Sequence, residues 1–230
     1  MKPDSVPISD VTRGHTELLE KRLTQQLRLY AVTDRRWLNG RTLAQDVEEA
    51  ILGGVSMVQL REKHASNAEF EELARSVQPV CRKYNVPFIV NDNVDVALAV
   101  NADGVHVGQQ DMQAGKVREQ IGAERILGVS AQTVEQALAA EAVGADYIGV
   151  GAVFTTASKD DAQSVSIDEL RHICKAVRIP VVAIGGIEES NVSQLAGTGI
   201  VGISVISAIF AQTDLREAAW NLRRSIDQII

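Results

Sequence analysis

A chain of 230 residues that is 45% hydrophobic but only 4% aromatic can bury a sizeable core, filled mostly by Val, Ile, Leu and Ala, as in parallel sheets and their covering helices. The formal net charge is −7 and no basic stripe offsets it, which argues against a nucleic-acid partner and means that an anionic ligand must be drawn by a local cation cluster. No stretch is long and apolar enough to span a bilayer, and Cys81 and Cys174 stand far apart without a metal-ligand spacing, the pattern of reduced thiols in a cytoplasmic protein.

In chain order, Met1 to Arg13 is polar and lacks the apolar core of a signal peptide, and Thr16 to Leu27 carries helical leucine spacing. Residues 1–26 therefore read as an N-terminal arm with a short extra helix, and residues 27–230 as one domain. From there, β-rich runs alternate with segments of helical period. The runs are Leu29 to Thr33, Val55 to Leu60, Pro87 to Asn91, Gly104 to Val107, Ile126 to Val129, Tyr147 to Val150, Pro180 to Ile184 and Ile200 to Ser204. Their continuous apolar character predicts strands covered on both faces. Ser66 to Glu69 and Thr133 to Gln136 resemble capping boxes, and Gly53 and Gly144 stand where left-handed helix caps are expected. Eight such units without a dividing linker predict an α/β fold, a closed (β/α)8 TIM barrel, with an open doubly wound sheet as the alternative.

The segment after each strand of such a barrel lies at its C-terminal mouth. The second run leads into Gln59-Leu60-Arg61-Glu62-Lys63, where a guanidinium fork and a compact ammonium suit a phosphate or diphosphate. A solvated mixed-charge loop is the competing reading, because Glu62 sits between the cations. Asp92 and Asp111 follow the third and fourth runs, and hard carboxylates with few His or Cys nearby suit Mg²⁺. Taken singly, a helix N-cap for Asp92 and a turn role for Asp111 compete with that reading. His106, inside the fourth run, reads as a packed, hydrogen-bonded histidine. Ser130 has no convincing His/Asp partner in the sequence, so it is a poor nucleophile and a better donor to an anion, or a cap for the next helix. Residues 151–162 read as a mobile lid that carries Lys159 over a phosphate, or as an ordinary exposed loop. Gly185-Gly186 and Ile206-Ser207 follow the last two runs, where backbone N–H groups commonly bind phosphate. Two anion sites are thus in prospect, for two phosphorylated reactants or for one with two phosphate groups.

Together these motifs resemble those of the thiamine-phosphate synthase (thiamine-phosphate pyrophosphorylase) family, from about Leu27 to Arg224. The matching segments are Val58 to Lys63, Asn91-Asp92, Asp103 to Asp111, Gly128-Val129-Ser130 and Ala183 to Ile187. The resemblance implies a transferase that joins 4-amino-5-hydroxymethyl-2-methylpyrimidine diphosphate to hydroxyethylthiazole phosphate, or its carboxylated tautomer, giving thiamine phosphate and diphosphate with Mg²⁺ as cofactor. It implies two small phosphorylated substrates, no nucleic-acid or membrane partner, and leaves the oligomeric state open, a homo-oligomer included. By residue, it implies that Gln59, Arg61, Lys63 and Asn91 hold the pyrimidine diphosphate, with Leu60 and Glu62 counted among the substrate-binding positions, and that Asp92 and Asp111 bind Mg²⁺. Ser130 and Lys159 would contact the diphosphate end and act in catalysis with Arg61 and Lys63. Thr156 and Ser158 would face the thiazole, with Ala157 between them also a substrate-binding position, and Gly186, Ile206 and Ser207 would receive its phosphate. The chain departs from the usual Phe-Pro-Thr-x-Thr-Lys at Phe154-Thr155-Thr156-Ala157-Ser158-Lys159, and the missing proline should loosen that loop. The rival readings are a thiazole tautomerase relative, a sugar-phosphate epimerase, which would want several metal-binding histidines, and a non-enzymatic phosphate-ligand sensor.

Overall fold

In the computed structural model, which describes residues 21–109, 111–156 and 164–230, the apolar runs pair in chain order into one closed, all-parallel barrel. The strands are β1 (Leu29–Val32), β2 (Met57–Leu60), β3 (Phe88–Asn91), β4 (Gly104–Val107), β5 (Ile126–Ala131), β6 (Tyr147–Val150), β7 (Val181–Ile184) and β8 (Gly202–Val205). β1 closes the ring on β8, with Leu29 opposite Ile203 and Ala31 opposite Val205, so the open-sheet alternative falls away. β5 runs two residues past its predicted end because Ser130 and Ala131 still pair with Gly149 and Val150. β2 starts at Met57, later than expected; the Ser56 hydroxyl just before it accepts a hydrogen bond from the Leu29 N–H at 3.0 Å.

Strand alternation divides the interior into two cores. Ala31, Val58, Leu60, Phe88, Val90, Val105 and Val107 point outward and are buried under the helices. Tyr30, Met57, Ile89, Tyr147 and Val182 form a smaller cluster of their own, inside the barrel. Each large apolar side chain so buried contributes about 1.5–3 kcal/mol.

The covering helices are α1 (Leu43–Leu52), α2 (Asn67–Lys83), α3 (Val94–Ala99), α4 (Ala114–Ile121), α5 (Val134–Ala142), α6 (Ile167–Ala176), α7 (Ser207–Phe210) and α8 (Leu215–Asp227). A 3₁₀ turn, Val192–Leu195, takes the helix position after β7, and residues 21–26, the described part of the segment expected as an extra helix, are helical. Ser66 and Thr133 cap α2 and α5 as their sequences predict, but neither box is reciprocal. Gln136 instead accepts from the Gln132 N–H at 2.8 Å, and Glu69 is taken by Arg35 at 3.2 Å. The reciprocal box is at the start of α1, between Thr42 and Gln45.

Gly144 has the expected left-handed backbone, with φ of 86°. Gly53 does not: its φ is −82°, and the left-handed residue is Gly54, at 111°. Gly53 is there for space, since a Cβ would run into the Arg216 carbonyl of α8. Among the described residues no helix is long and apolar enough to cross a membrane.

Candidate active site at the mouth of the barrel

The loops that leave the C-terminal ends of the strands surround a cavity of about 770 Å³. Gln59, Arg61, Glu62 and Lys63 reach it from β2, Asn91 and Asp92 from β3, Asp111 from the β4 loop and Ser130 from β5. Thr156, Gly186, Ile206 and Ser207 line it from the ends of β6, β7 and β8. Leu60 is the exception within its stretch. Strand alternation turns it outward, and its fully buried side chain packs in the core between sheet and helices, not on the cavity. The expected lid positions Ala157, Ser158 and Lys159 lie outside the described residues.

The stretch after β2 is held from the β1 side. The Arg61 N–H donates to the buried Thr33 hydroxyl at 3.1 Å. The next residue, Glu62, accepts a two-pronged contact from Arg35, Nε to Oε1 and Nη2 to Oε2, each at 2.8 Å. Arg61 and Lys63 flank this anchored carboxylate and both line the cavity.

At the end of β3 the backbone turns through Asp92 with φ of 60°, a left-handed conformation that Asp tolerates better than most residues. The Asp92 N–H donates to the His106 carbonyl at 2.8 Å, and the Asn91 amide donates to the Asp92 carboxylate. Asp92 is not the cap of α3. That role falls to Asn93, whose Oδ1 accepts from the Val96 N–H at 3.0 Å. Asp111 does serve its turn, accepting from the Gly108 N–H at 2.7 Å, while also lining the cavity.

Among the described residues no group of three or more His, Cys, Asp or Glu side chains is placed to hold a metal by itself. The Asp92 and Asp111 carboxylates, which both line the cavity, are hard oxygen donors and by themselves an incomplete set. That set fits Mg²⁺, which keeps several waters and takes further oxygens from a phosphorylated ligand.

The floor is a chain of buried hydrogen bonds. Gln59 Nε2 donates to the Tyr30 hydroxyl at 2.6 Å, and the Tyr30 and Tyr147 hydroxyls share a bond of 2.8 Å. Tyr147 Oη meets His106 Nδ1 at 2.9 Å, and His106 Nε2 meets Ser130 Oγ at 3.0 Å. Burial pushes both phenols well above their ordinary range, so they remain neutral. The glycines opposite make the room. A Cβ at Gly128 would collide with the Tyr147 ring, and one at Gly149 would press on His106 at 3.2 Å.

His106 is the hydrogen-bonded histidine its sequence predicts, but Ser130 has a histidine partner that the sequence did not reveal. The other ring nitrogen of that partner meets the Tyr147 phenol, which burial keeps neutral. Tyr30 and Tyr147 were missed altogether. The available signal was two tyrosines at inward strand positions, with glycines inward on neighbouring strands.

Across the barrel, Gly185 and Gly186 have φ of 98° and 64°. The β6 loop packs directly on them, with the Phe154 N–H donating to the Gly185 carbonyl at 3.0 Å, and Asn191 Nδ2 holds the Gly186 carbonyl at 2.8 Å. In an eight-stranded ring β7 stands opposite β3, so the backbone wall of Gly186, Ile206 and Ser207 faces the carboxylate and cation wall.

Comparison with known proteins agrees with this geometry. A family model described as "Thiamine monophosphate synthase" matches residues 29–209. The chain is 56% identical over 194 residues to a thiamine-phosphate synthase of Clostridium tetani (strain Massachusetts / E88), covering 84% of this chain and 93% of that one. It is 54% identical over 194 residues to a thiamine-phosphate synthase of Ruminiclostridium cellulolyticum, covering 84% and 92%. Among solved structures, the thiamine phosphate pyrophosphorylase from Pyrococcus furiosus superposes with a TM-score of 0.83 at 41% identity, over 90% of this chain and 99% of that one.

Proposed function

The chain belongs to the thiamine monophosphate synthase family, transferases of thiamine biosynthesis, and on that premise we propose that it joins 4-amino-5-hydroxymethyl-2-methylpyrimidine diphosphate to hydroxyethylthiazole phosphate or its carboxylated tautomer. The observation that carries this reading is the pairing of two unlike anion-binding walls across one cavity: Arg61, Lys63, Asn91, Asp92 and Asp111 on one side, and Gly186, Ile206 and Ser207 on the other. Two phosphorylated reactants can be held there with their unphosphorylated ends toward each other.

In the reaction the C–O bond to the diphosphate breaks and its electron pair leaves with the diphosphate. The aminopyrimidine delocalises the cation left on the methylene carbon, and the thiazole nitrogen then forms the new C–N bond; where the carboxylated tautomer is the reactant, its carboxyl group leaves as CO2. The chain's task is to stabilise the departing charge, for which the Arg61 fork and the Lys63 ammonium are suited. Asp92 and Asp111 would hold Mg²⁺, which when bound neutralises diphosphate charge. Gln59 and Ser130, fixed by the buried network below them, meet the substrate without reorganising. No protein nucleophile is required.

The test is incubation of the full chain with both substrates, with and without Mg²⁺, while diphosphate is assayed. Mg²⁺-dependent release of diphosphate with formation of thiamine phosphate is expected; its absence would remove the synthase reading.

A further inference from the structure

We propose that Arg35 is a positioning residue for the diphosphate clamp: by forking Glu62 it keeps that carboxylate from neutralising Arg61 and Lys63. The inference rests on reading residues 59–63 as an anion clamp. Its starting point is a contradiction inside that stretch. A carboxylate stands between two cations, at the edge of a cavity meant for an anion. Left to itself, Glu62 would pair with a flanking cation or repel the diphosphate.

The β1 loop resolves the contradiction. The Glu62 side chain is only 8% exposed, and Arg35 covers it with two parallel bonds of 2.8 Å, the geometry in which guanidinium and carboxylate satisfy each other best. Arg35 belongs to a 3₁₀ turn, Arg35–Trp37, capped by Asp34. Asp34 is itself forked by Arg36, with contacts of 2.7 to 3.0 Å, so it does not compete for Arg35. Arg35 Nη2 also reaches Glu69 in the first turn of α2, at 3.2 Å. It therefore ties together the loop before the clamp, the clamp and the helix after it. The Thr33 hydroxyl fixes the backbone of the adjacent Arg61 at 3.1 Å. Two neighbouring residues of the clamp are thus anchored to two nearby residues of the β1 loop, and Arg61 and Lys63 both line the cavity, with Asp34, itself forked by Arg36, in electrostatic reach of Arg61.

The idea separates from simple bracing of the loop by a rescue. Binding of inorganic diphosphate in the presence of Mg²⁺ is measured by calorimetry on the full chain, with melting curves, for the wild type, Arg35→Met and Arg35→Met/Glu62→Gln. Steady-state kinetics with each substrate varied accompany them. Arg35→Met should weaken diphosphate binding about tenfold or more. It should raise KM for the pyrimidine diphosphate by a similar factor while KM for the thiazole phosphate moves less than about twofold. Adding Glu62→Gln should recover most of the lost affinity, because the harmful charge is gone although the fork is not restored. A double variant as weak as Arg35→Met would overturn the proposal in favour of bracing, and so would an Arg35→Met variant that binds like the wild type. If Arg35→Met does not melt cooperatively, the pair Arg35→Lys and Arg35→Lys/Glu62→Gln carries the same comparison. A wild type that binds no diphosphate would instead sink the clamp reading itself.

Discussion

At the scale of single residues, Tyr147 is held on several sides, by two hydrogen bonds and by the bare backbone of Gly128. Its hydroxyl lies between Tyr30 at 2.8 Å and His106 at 2.9 Å. Tyr147→Phe removes the link and leaves both partners short of a hydrogen bond, at a cost of about 1–3 kcal/mol, read as a lower urea midpoint at pH 8. The pH dependence has a definite sign. Burial raises the Tyr30 and Tyr147 phenols in the folded state, so the unfolded chain, with the ordinary tyrosine value of 10.0, releases these protons first. Their stabilising contribution is whole below that value and is lost as pH rises through the folded-state values. Burial also pushes Cys81 up to about 12 and Cys174 to about 11, which adds to the same alkaline decline. Urea midpoints at pH 8, 10 and 11 should therefore fall less steeply in Tyr147→Phe than in the wild type, and parallel curves would contradict the assignment. This network was not legible in the sequence because alternation says which side chains point inward but not which ones meet. That depends on register, which sets Tyr147 opposite Gly128.

At the scale of elements, most of the barrel could be read from the chain, because continuous apolar runs separated by amphipathic segments have few other ways to bury both faces. What escaped was local. The cap of α3 shifted by one residue, from Asp92 to Asn93, and that shift leaves Asp92 for the cavity. Leu60 stands among residues that line the cavity, but the period of two turns it outward. Gly53 was read for its backbone freedom when its use is steric. The β6 and β7 loops show how a backbone wall is built by contact between elements. A Cβ at Gly186 would strike the Thr155 and Phe154 carbonyls, and its φ of 64° is in the left-handed region. Gly186→Ala should cost about 1–3 kcal/mol in strain. Because it also pushes the β6 loop, it should raise KM for the thiazole phosphate about tenfold. Gly197→Ala is the control: its φ of 69° gives similar strain, yet nothing lies within 4 Å of the new Cβ. It should lower the melting temperature and leave KM alone. Equal KM values in the two variants would show that loop contact does not shape this wall.

At the scale of the whole molecule, the chain must bind anions against a net charge of −7. A salt solution of physiological strength screens exposed charges beyond about 8 Å, so the distant acidic surface matters little once a substrate is at the mouth. On the proposed reading, attraction is then local, shared between Arg61, Lys63 and a cation that Asp92 and Asp111 would hold. Since every strand pairs with two neighbours and the ring has no edge, a ligand that ties β2 to β4 stabilises the barrel as one unit. Linkage sets the size of the effect. Ligand at about 100 times its Kd adds about 2.7 kcal/mol, which for a domain of this length raises Tm by about 5–10 °C. Mg²⁺ and inorganic diphosphate together should give such a shift in a thermal melt, and each alone much less, because the carboxylates repel an unaccompanied diphosphate. Asp92→Asn should lose the part that depends on Mg²⁺ while keeping a smaller shift from Arg61 and Lys63. A full shift by diphosphate in the presence of a chelator would show that the cations suffice and that the carboxylates serve another purpose. No shift under any condition would mean that the two walls, though they face one cavity, do not bind diphosphate.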